Sequence, residues 1–194
     1  MRFIADNPDV PVVQMDSVIG NKSGKVLLTM FSQNTNLLLA FLRDHNTARS
    51  VLDVFNDLYA MFGREIYCRL FPVILTDRGS EFSNPVPIEQ DENDELRSLV
   101  FYCNPSAPYQ KGGIEVAHEL VRRVLPKGKS FDDLQQEDID LMLSHINSYK
   151  RGKLNSRSAY QLFNFIYGDD ILPKLNIREI EANDIVLSPK LLKK

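Results

Sequence analysis

Apolar positions between residues 11 and 42 fall into three short runs separated by turn formers. Residues 11–18 (PVVQMDSV), 25–31 (KVLLTMF) and 36–42 (NLLLAFL) are β-branched or aromatic-rich and are joined by short Gly- and Asn-containing turns. This pattern predicts three consecutive strands in an antiparallel meander. Thr47 can then cap a helix whose apolar positions Val51, Leu52, Phe55, Leu58, Tyr59 and Phe62 keep the 3.6-residue period, with Gly63 stopping it. Residues 71–76 (FPVILT) and 99–103 (LVFYC) are continuous apolar runs, as expected of parallel strands covered on both faces.

After the turn-rich stretch 104–113, residues 114–125 read as a helix with Ala117, Leu120, Val121 and Val124 on one stripe. Glu115, His118, Glu119 and Arg122 occupy another stripe, at spacings of three and four. Residues 131–148 hold a further helix that turns Leu134, Ile139, Met142, Leu143 and Ile146 inward, and residues 158–167 hold a short one. Weak strand signals appear at 184–187. This succession of strands and helices predicts a mixed α/β sheet in a single domain.

Composition narrows the function classes. A chain of 194 residues, 43% hydrophobic, suits one globular domain. No apolar run approaches the roughly 20 residues of a membrane span, and the start MRFIADNPDV has no signal-peptide core, so a cytoplasmic location without membrane partners is expected. Cys68 and Cys103 lie far apart without Cys or His company, which predicts buried reduced thiols, not zinc ligands or a disulfide. The net charge of −3 argues against a protein that holds nucleic acid by bulk charge. Acids crowd into 89–95, expected to be a solvated surface loop. Bases gather at 122–129, 149–153 and 190–194, so a polyanion would meet the C-terminal half.

Three acids stand out by placement. Asp16 interrupts the first strand, Asp77 ends a buried one, and Glu115 opens the helix after Gly112-Gly113. If the first and fourth strands are neighbours, Asp16 and Asp77 come together, and a helix N-terminus packed beside them supplies Glu115. Clustered carboxylates repel unless a cation neutralises them. Each acid also has an ordinary reading: a strand-end Asp forms turns, and a first-turn Glu complements the helix dipole.

Met15-Asp16-Ser with Gly24-Lys-Val-Leu-Leu-Thr-Met-Phe31, then Leu75-Thr-Asp77-Arg-Gly-Ser-Glu-Phe82, then Ser106-Ala-Pro-Tyr-Gln-Lys-Gly-Gly-Ile-Glu115, together resemble the catalytic core of DDE transposases and retroviral-type integrases. The blocks Arg122-Arg-Val-Leu-Pro-Lys-Gly128 and Ile146-Asn-Ser-Tyr-Lys-Arg-Gly-Lys-Leu154 resemble the IS-thirty group of insertion-sequence transposases most closely. The resemblance covers roughly residues 10 to 168. It implies a ribonuclease H-like α/β core over 1–168, with three antiparallel strands followed by parallel strands and flanking helices, and a C-terminal extension over 169–194. It makes Asp16, Asp77 and Glu115 the catalytic and metal-binding acids, with Glu81 supporting them. It prefers Glu115 to Glu119, which lies one turn too late. Arg78 stands where many relatives carry Asn, and so does His118, three residues after the glutamate. Both, with Lys111, Arg122 and Lys127, are candidate DNA contacts, though each also reads as an ordinary surface charge.

The implied chemistry is direct phosphoryl transfer on DNA with Mg²⁺ or Mn²⁺, two ions when DNA is bound. The implied partners are transposon ends, target DNA and further copies of the chain. Relatives carry an N-terminal helix-turn-helix region, so the chain reads as a catalytic-core fragment or truncated copy. A degenerate core kept as a dimerisation or DNA-scaffolding module is the non-enzymatic alternative. A cellular ribonuclease H or resolvase fits the sheet but not the downstream basic blocks.

Overall fold

The computed structural model describes residues 2–21, 24–104 and 107–192. Ser106 of the third sequence block and Lys193 and Lys194 of the basic tail lie outside the described residues. Strands β1 (Val12–Ile19), β2 (Val26–Ser32) and β3 (Leu38–Arg43) form the antiparallel meander. Strands β4 (Val73–Thr76) and β5 (Leu99–Tyr102) add in parallel, giving the order β3-β2-β1-β4-β5. This is the ribonuclease H-like mixed sheet that the pattern and the resemblance imply. Leu27, Leu28 and Met30 on β2 are each at most 1% exposed, which explains why a central strand reads as an unbroken apolar run. β5, at the edge, is only half-buried.

A short helix α1 (Arg2–Asp6), invisible to periodicity, sets Phe3 against Phe101 of β5 with centroids 5.4 Å apart. Helix α2 (Ala48–Leu70) starts as expected, with Thr47 Oγ1 accepting from the Ser50 amide at 3.2 Å. Gly63 does not stop it. At φ 70 and ψ 166 this residue kinks the chain, and helical structure resumes through Leu70. The second segment forms because Tyr67, fully buried, and Leu70 have places in the core.

A short helix α3 (Val86–Glu89) leads into the acidic segment, which is not simply a solvated loop. Asp91 Oδ1 accepts the Asn93 and Glu95 amides, and its Oδ2 accepts from the Tyr59 hydroxyl at 2.8 Å. Gln90 and Leu96 pair across the loop's base, and the Arg97 amide donates to Glu89 O. The Arg97 guanidinium lies over the rings of Tyr59 and Tyr67. The loop therefore closes on itself at one end of α2.

Helices α4 (Gly112–Val124), α5 (Gln136–Ser148) and α6 (Ala159–Tyr167) turn the anticipated stripes inward: Ala117, Val121, Val124, Ile139, Met142, Leu143 and Ile146 are at most 2% exposed. α5 also seals the sheet edge. The Asn147 side chain accepts the Leu38 amide at 2.9 Å and donates to Leu38 O at 2.8 Å, and Gln136 does the same for the Leu42 amide and Ala40 O. Two helix amides thus stand where a sixth strand would pair.

Beyond α7 (Ile171–Lys174), the expected strand at 184–187 does not form. The segment instead hangs on α5 by single bonds: Ser144 Oγ accepts the Arg178 amide, Ser148 Oγ the Ile180 amide and His145 Nδ1 the Val186 amide. Backbone donors satisfied one at a time by side chains build no ladder. Ile171, Leu172, Leu175 and Ile177 join the same apolar cluster as the sheet and helices. Cys68 and Cys103 are free, but half-buried where full burial was anticipated. Among the described residues no helix is long and apolar enough to cross a membrane.

Candidate active site

The sheet register itself brings two acids together. Val12, Val13 and Gln14 of β1 pair with Val73, Ile74 and Leu75 of β4, and two further steps put Asp16 beside Asp77, the first residue past β4. Thr76 donates to Met15 O at 3.2 Å and continues the strand contact up to the acids. Asp77 then turns the chain, its Oδ1 accepting the Gly79 amide at 3.0 Å. Asp16 Oδ1 likewise accepts the Ser17 amide at 2.8 Å. In each acid the second carboxylate oxygen takes no part in that backbone bond.

What lies between them is Lys111. Its ammonium is 2.9 Å from Asp77 Oδ2 and 3.4 Å from Asp16 Oδ2, and it also donates to Met15 O at 3.4 Å. The side chain is 9% exposed. Burial alone would lower the ammonium's pKa, but the hydrogen bond to Asp77 and the charge of Asp16 outweigh it and raise the pKa above the usual lysine value. Lys111 therefore sits inside the site, not on a phosphate-facing rim.

Gln14, 2% exposed, mounts this lysine. Its Nε2 donates to Gln110 O at 3.0 Å and its Oε1 accepts the Ile114 amide at 2.7 Å, so one strand side chain grips the backbone on both sides of Lys111. The second bond also occupies one of the orphan amides at the start of α4. Gly113 permits the approach: a Cβ there would lie 2.5 Å from the Phe31 ring and 3.0 Å from Gln14 Oε1.

From that anchor α4 runs along β1. Ile114 is fixed to Gln14. His118 Nε2 lies 2.8 Å from Oγ1 of Thr29, the residue paired with Asp16. Arg122 Nη2 donates to Ile19 O at 3.0 Å. Thr29 spends its one hydroxyl proton on Asp16 O at 2.9 Å, so His118 Nε2 must carry the proton that bonds Thr29. Burial pushes the His118 pKa down, with Asp16 opposing and Arg122 and Lys111 reinforcing. Glu115 lies one turn before His118 on the same stripe of α4, and Glu119 follows Glu115 by one turn. Glu115 is exposed, and among the described residues no three His, Cys, Asp or Glu side chains gather closely enough to hold a metal ion. The structure thus brings Asp16 and Asp77 together around Lys111 and does not gather Glu115 with them.

A buried polar network backs the two strand ends. Glu81 Oε1 accepts from Asn46 Nδ2 at 3.0 Å, Asn46 Oδ1 accepts from Ser17 and Arg43, and Arg43 also donates to Ser17 Oγ at 3.0 Å. Glu81 is thereby tied to the residue after Asp16, and a Cβ on Gly79 would come within 2.7 Å of its Oε2. Burial lowers the Arg43 pKa to about 10, against the charge of Glu81. Arg78 is exposed, its guanidinium 6.0 Å from the Tyr102 ring centroid, and Lys127 is exposed. Arg122 is half-buried. Sequence reasoning missed Gln14, Thr29, Asn46 and Arg43. The one available signal was polar residues inside otherwise apolar strands, at Gln14 and Thr29.

No family model matches the chain. Over 154 residues it is 29% identical to the ORF3 protein of Spiroplasma virus SpV1-R8A2 B, which is named as an integrase, a match covering 78% of this chain and 45% of that protein. The transposase for insertion sequence element IS4351 of Bacteroides fragilis is 23% identical over 151 residues, covering 78% and 44%. Transposase InsI for element IS30A of Escherichia coli K12 is 22% identical over 147 residues, covering 76% and 36%. The chain thus spans less than half the length of these relatives. Among solved structures, the catalytic core domain of BIV integrase superposes with a TM-score of 0.51 at 21% identity, over 80% of this chain and 92% of that one. A chain of the simian T-cell lymphotropic virus intasome in complex with PP2A regulatory subunit B56 gamma gives 0.56 at 16% identity, over 88% and 58%. By sequence the chain is similar to proteins named as integrases and insertion-sequence transposases, and its fold is the ribonuclease H-like fold of retroviral integrase cores.

Proposed function

We propose that the chain is the catalytic core of a DNA transposase that cuts and joins DNA strands by direct phosphoryl transfer, with Asp16, Asp77 and Glu115 as its acids. The observation that carries this reading is the convergence of Asp16 Oδ2 and Asp77 Oδ2 on one cation, the Lys111 ammonium. A divalent cation fits that donor set. Both donors are hard oxygens, and Mg²⁺ characteristically takes one or two carboxylates and completes its shell with water and substrate phosphate. What Mg²⁺ or Mn²⁺ supplies there when bound is activation of a water or DNA 3′-hydroxyl and neutralisation of charge on the leaving oxygen.

The chain's own residues do the rest. The β1/β4 register fixes the spacing of Asp16 and Asp77, and the Ser17 and Gly79 amides orient their carboxylates. Glu115 supplies the third carboxylate from α4. Glu81, through Asn46, holds the turn after Asp77 against β1. Arg78, Lys127 and Arg122 hold the DNA backbone around the site, with His118 beside Asp16. Burial raises the pKa of Cys103, which keeps the nearby thiol protonated and unsuited to a covalent intermediate. The substrates are transposon ends and target DNA, and the working form is an assembly of several copies.

One observation favours the second reading, a core that scaffolds DNA without cutting it: Lys111 fills the position between the acids and Glu115 stands apart. A Mn²⁺-dependent nicking and strand-joining assay separates the two. Asp16→Asn, Asp77→Asn and Glu115→Gln should each lose more than about 100-fold in rate, since even residues behind metal ligands typically cost 10–100-fold. Glu119→Gln should stay within a few-fold of the parent. Equal activity in all four variants removes the three-acid mechanism, and a chain that binds DNA but never nicks it establishes the scaffold.

A further inference from the structure

We propose that Lys111 is the site's own counter-cation: in the metal-free chain its ammonium holds Asp16 and Asp77 together, and it must withdraw for a divalent ion to bind there. The inference rests on the reading of those acids as metal ligands and goes beyond it by assigning the lysine a role in setting metal affinity.

Three features support it. The ammonium is bound by both carboxylates and by Met15 O at 2.9–3.4 Å, the positions a cation between the acids would use. The lysine is delivered there by design of the backbone, because Gln14 clamps Gln110 O and the Ile114 amide on either side of it. It is also removable. An ammonium on a four-carbon stem is a mobile point charge, and the Asp77 side chain that binds it is half-exposed. One positive charge facing two carboxylates leaves one negative charge uncompensated, whereas a divalent ion neutralises both. Exchange of lysine for metal is therefore favoured as metal concentration rises.

The test measures Mn²⁺ affinity by calorimetry and metal-dependent thermal shift for the parent chain, Lys111→Met, Lys111→Gln and Asp77→Asn. Removing a like charge from contact distance should tighten Mn²⁺ binding roughly tenfold or more in both lysine variants. Their melting points should be lower without metal and should gain more from Mn²⁺ than the parent's. Lys111→Gln, which can still hydrogen-bond both carboxylates, serves if Lys111→Met fails to fold without metal. Unchanged or weaker Mn²⁺ binding in the lysine variants, with Asp77→Asn still weakening it, overturns the counter-cation role and leaves the metal site standing. No Mn²⁺ binding in any variant overturns both.

Discussion

Asp16 is held from two directions: its side chain by the Ser17 amide and its carbonyl by the Thr29 hydroxyl, which His118 supports in turn. Thr29→Val keeps the shape of a fully buried side chain but orphans the His118 N–H and strips a bond from Asp16 O. It should cost about 1–3 kcal/mol in urea unfolding, the usual penalty for a buried polar group left unpaired. His118→Ala should cost less, because removing the donor leaves the hydroxyl able to keep its bond to Asp16. The meeting of Asp16 with Asp77 was legible in the sequence once the first and fourth strands were read as neighbours. The inward turn of Lys111 was not, because it depends on a clamp from Gln14, nearly 100 residues away, whose polar character has no period to mark it.

At the scale of elements, the strands and long helices were legible to within a few residues because burial on one face or both writes itself directly into apolar spacing. Other features escaped. α1 is too short to show a period, Gly63 carries a kink where its residue type announces an end, and the 177–187 segment is tied down by backbone donors that leave no hydrophobic trace. The sealing of β3 by α5 belongs to the same class. Asn147 is fully buried and satisfies both the amide and the carbonyl of Leu38. Asn147→Ala should destabilise the chain by about 2–4 kcal/mol, two buried groups losing their partner at once. Hydrogen exchange should show the loss of protection centred on Leu38, and a uniform loss across the sheet would mean that α5 and β3 do not behave as one edge.

For the whole molecule, the C-terminal segment acts as a strap across α5 and onto α4, the helix that carries Glu115. One of its attachments is titratable. Burial, with Arg178 nearby, lowers the His145 pKa against the opposing charge of Asp184, so the folded chain prefers the neutral ring whose Nδ1 accepts the Val186 amide. A depressed histidine pKa means that the unfolded chain takes up the proton first as pH falls. The stability this group contributes is complete above the unfolded value of about 6.5 and is lost as pH drops below it toward the folded pKa. Melting temperature should therefore fall between pH 7.5 and 5.5, and His145→Asn, whose side-chain oxygen can replace Nδ1 as acceptor, should flatten that part of the profile. An unchanged slope in the variant would place the pH sensitivity elsewhere.

The loop after α3 has a consequence for chain length. Its two ends meet at the Gln90–Leu96 bridge, its interior is organised by Asp91 and held to Arg64 through Glu95, and Arg97 pins its exit against Tyr59 and Tyr67. The number of residues between Asp77 and Glu115 is therefore decoupled from the spacing of the acids. Material spliced between Glu92 and Asp94 leaves from and returns to adjacent points on the surface. That makes this the position at which a tag, a fluorophore or an entire second domain can be inserted while the sheet register that sets Asp16 against Asp77 stays as it is.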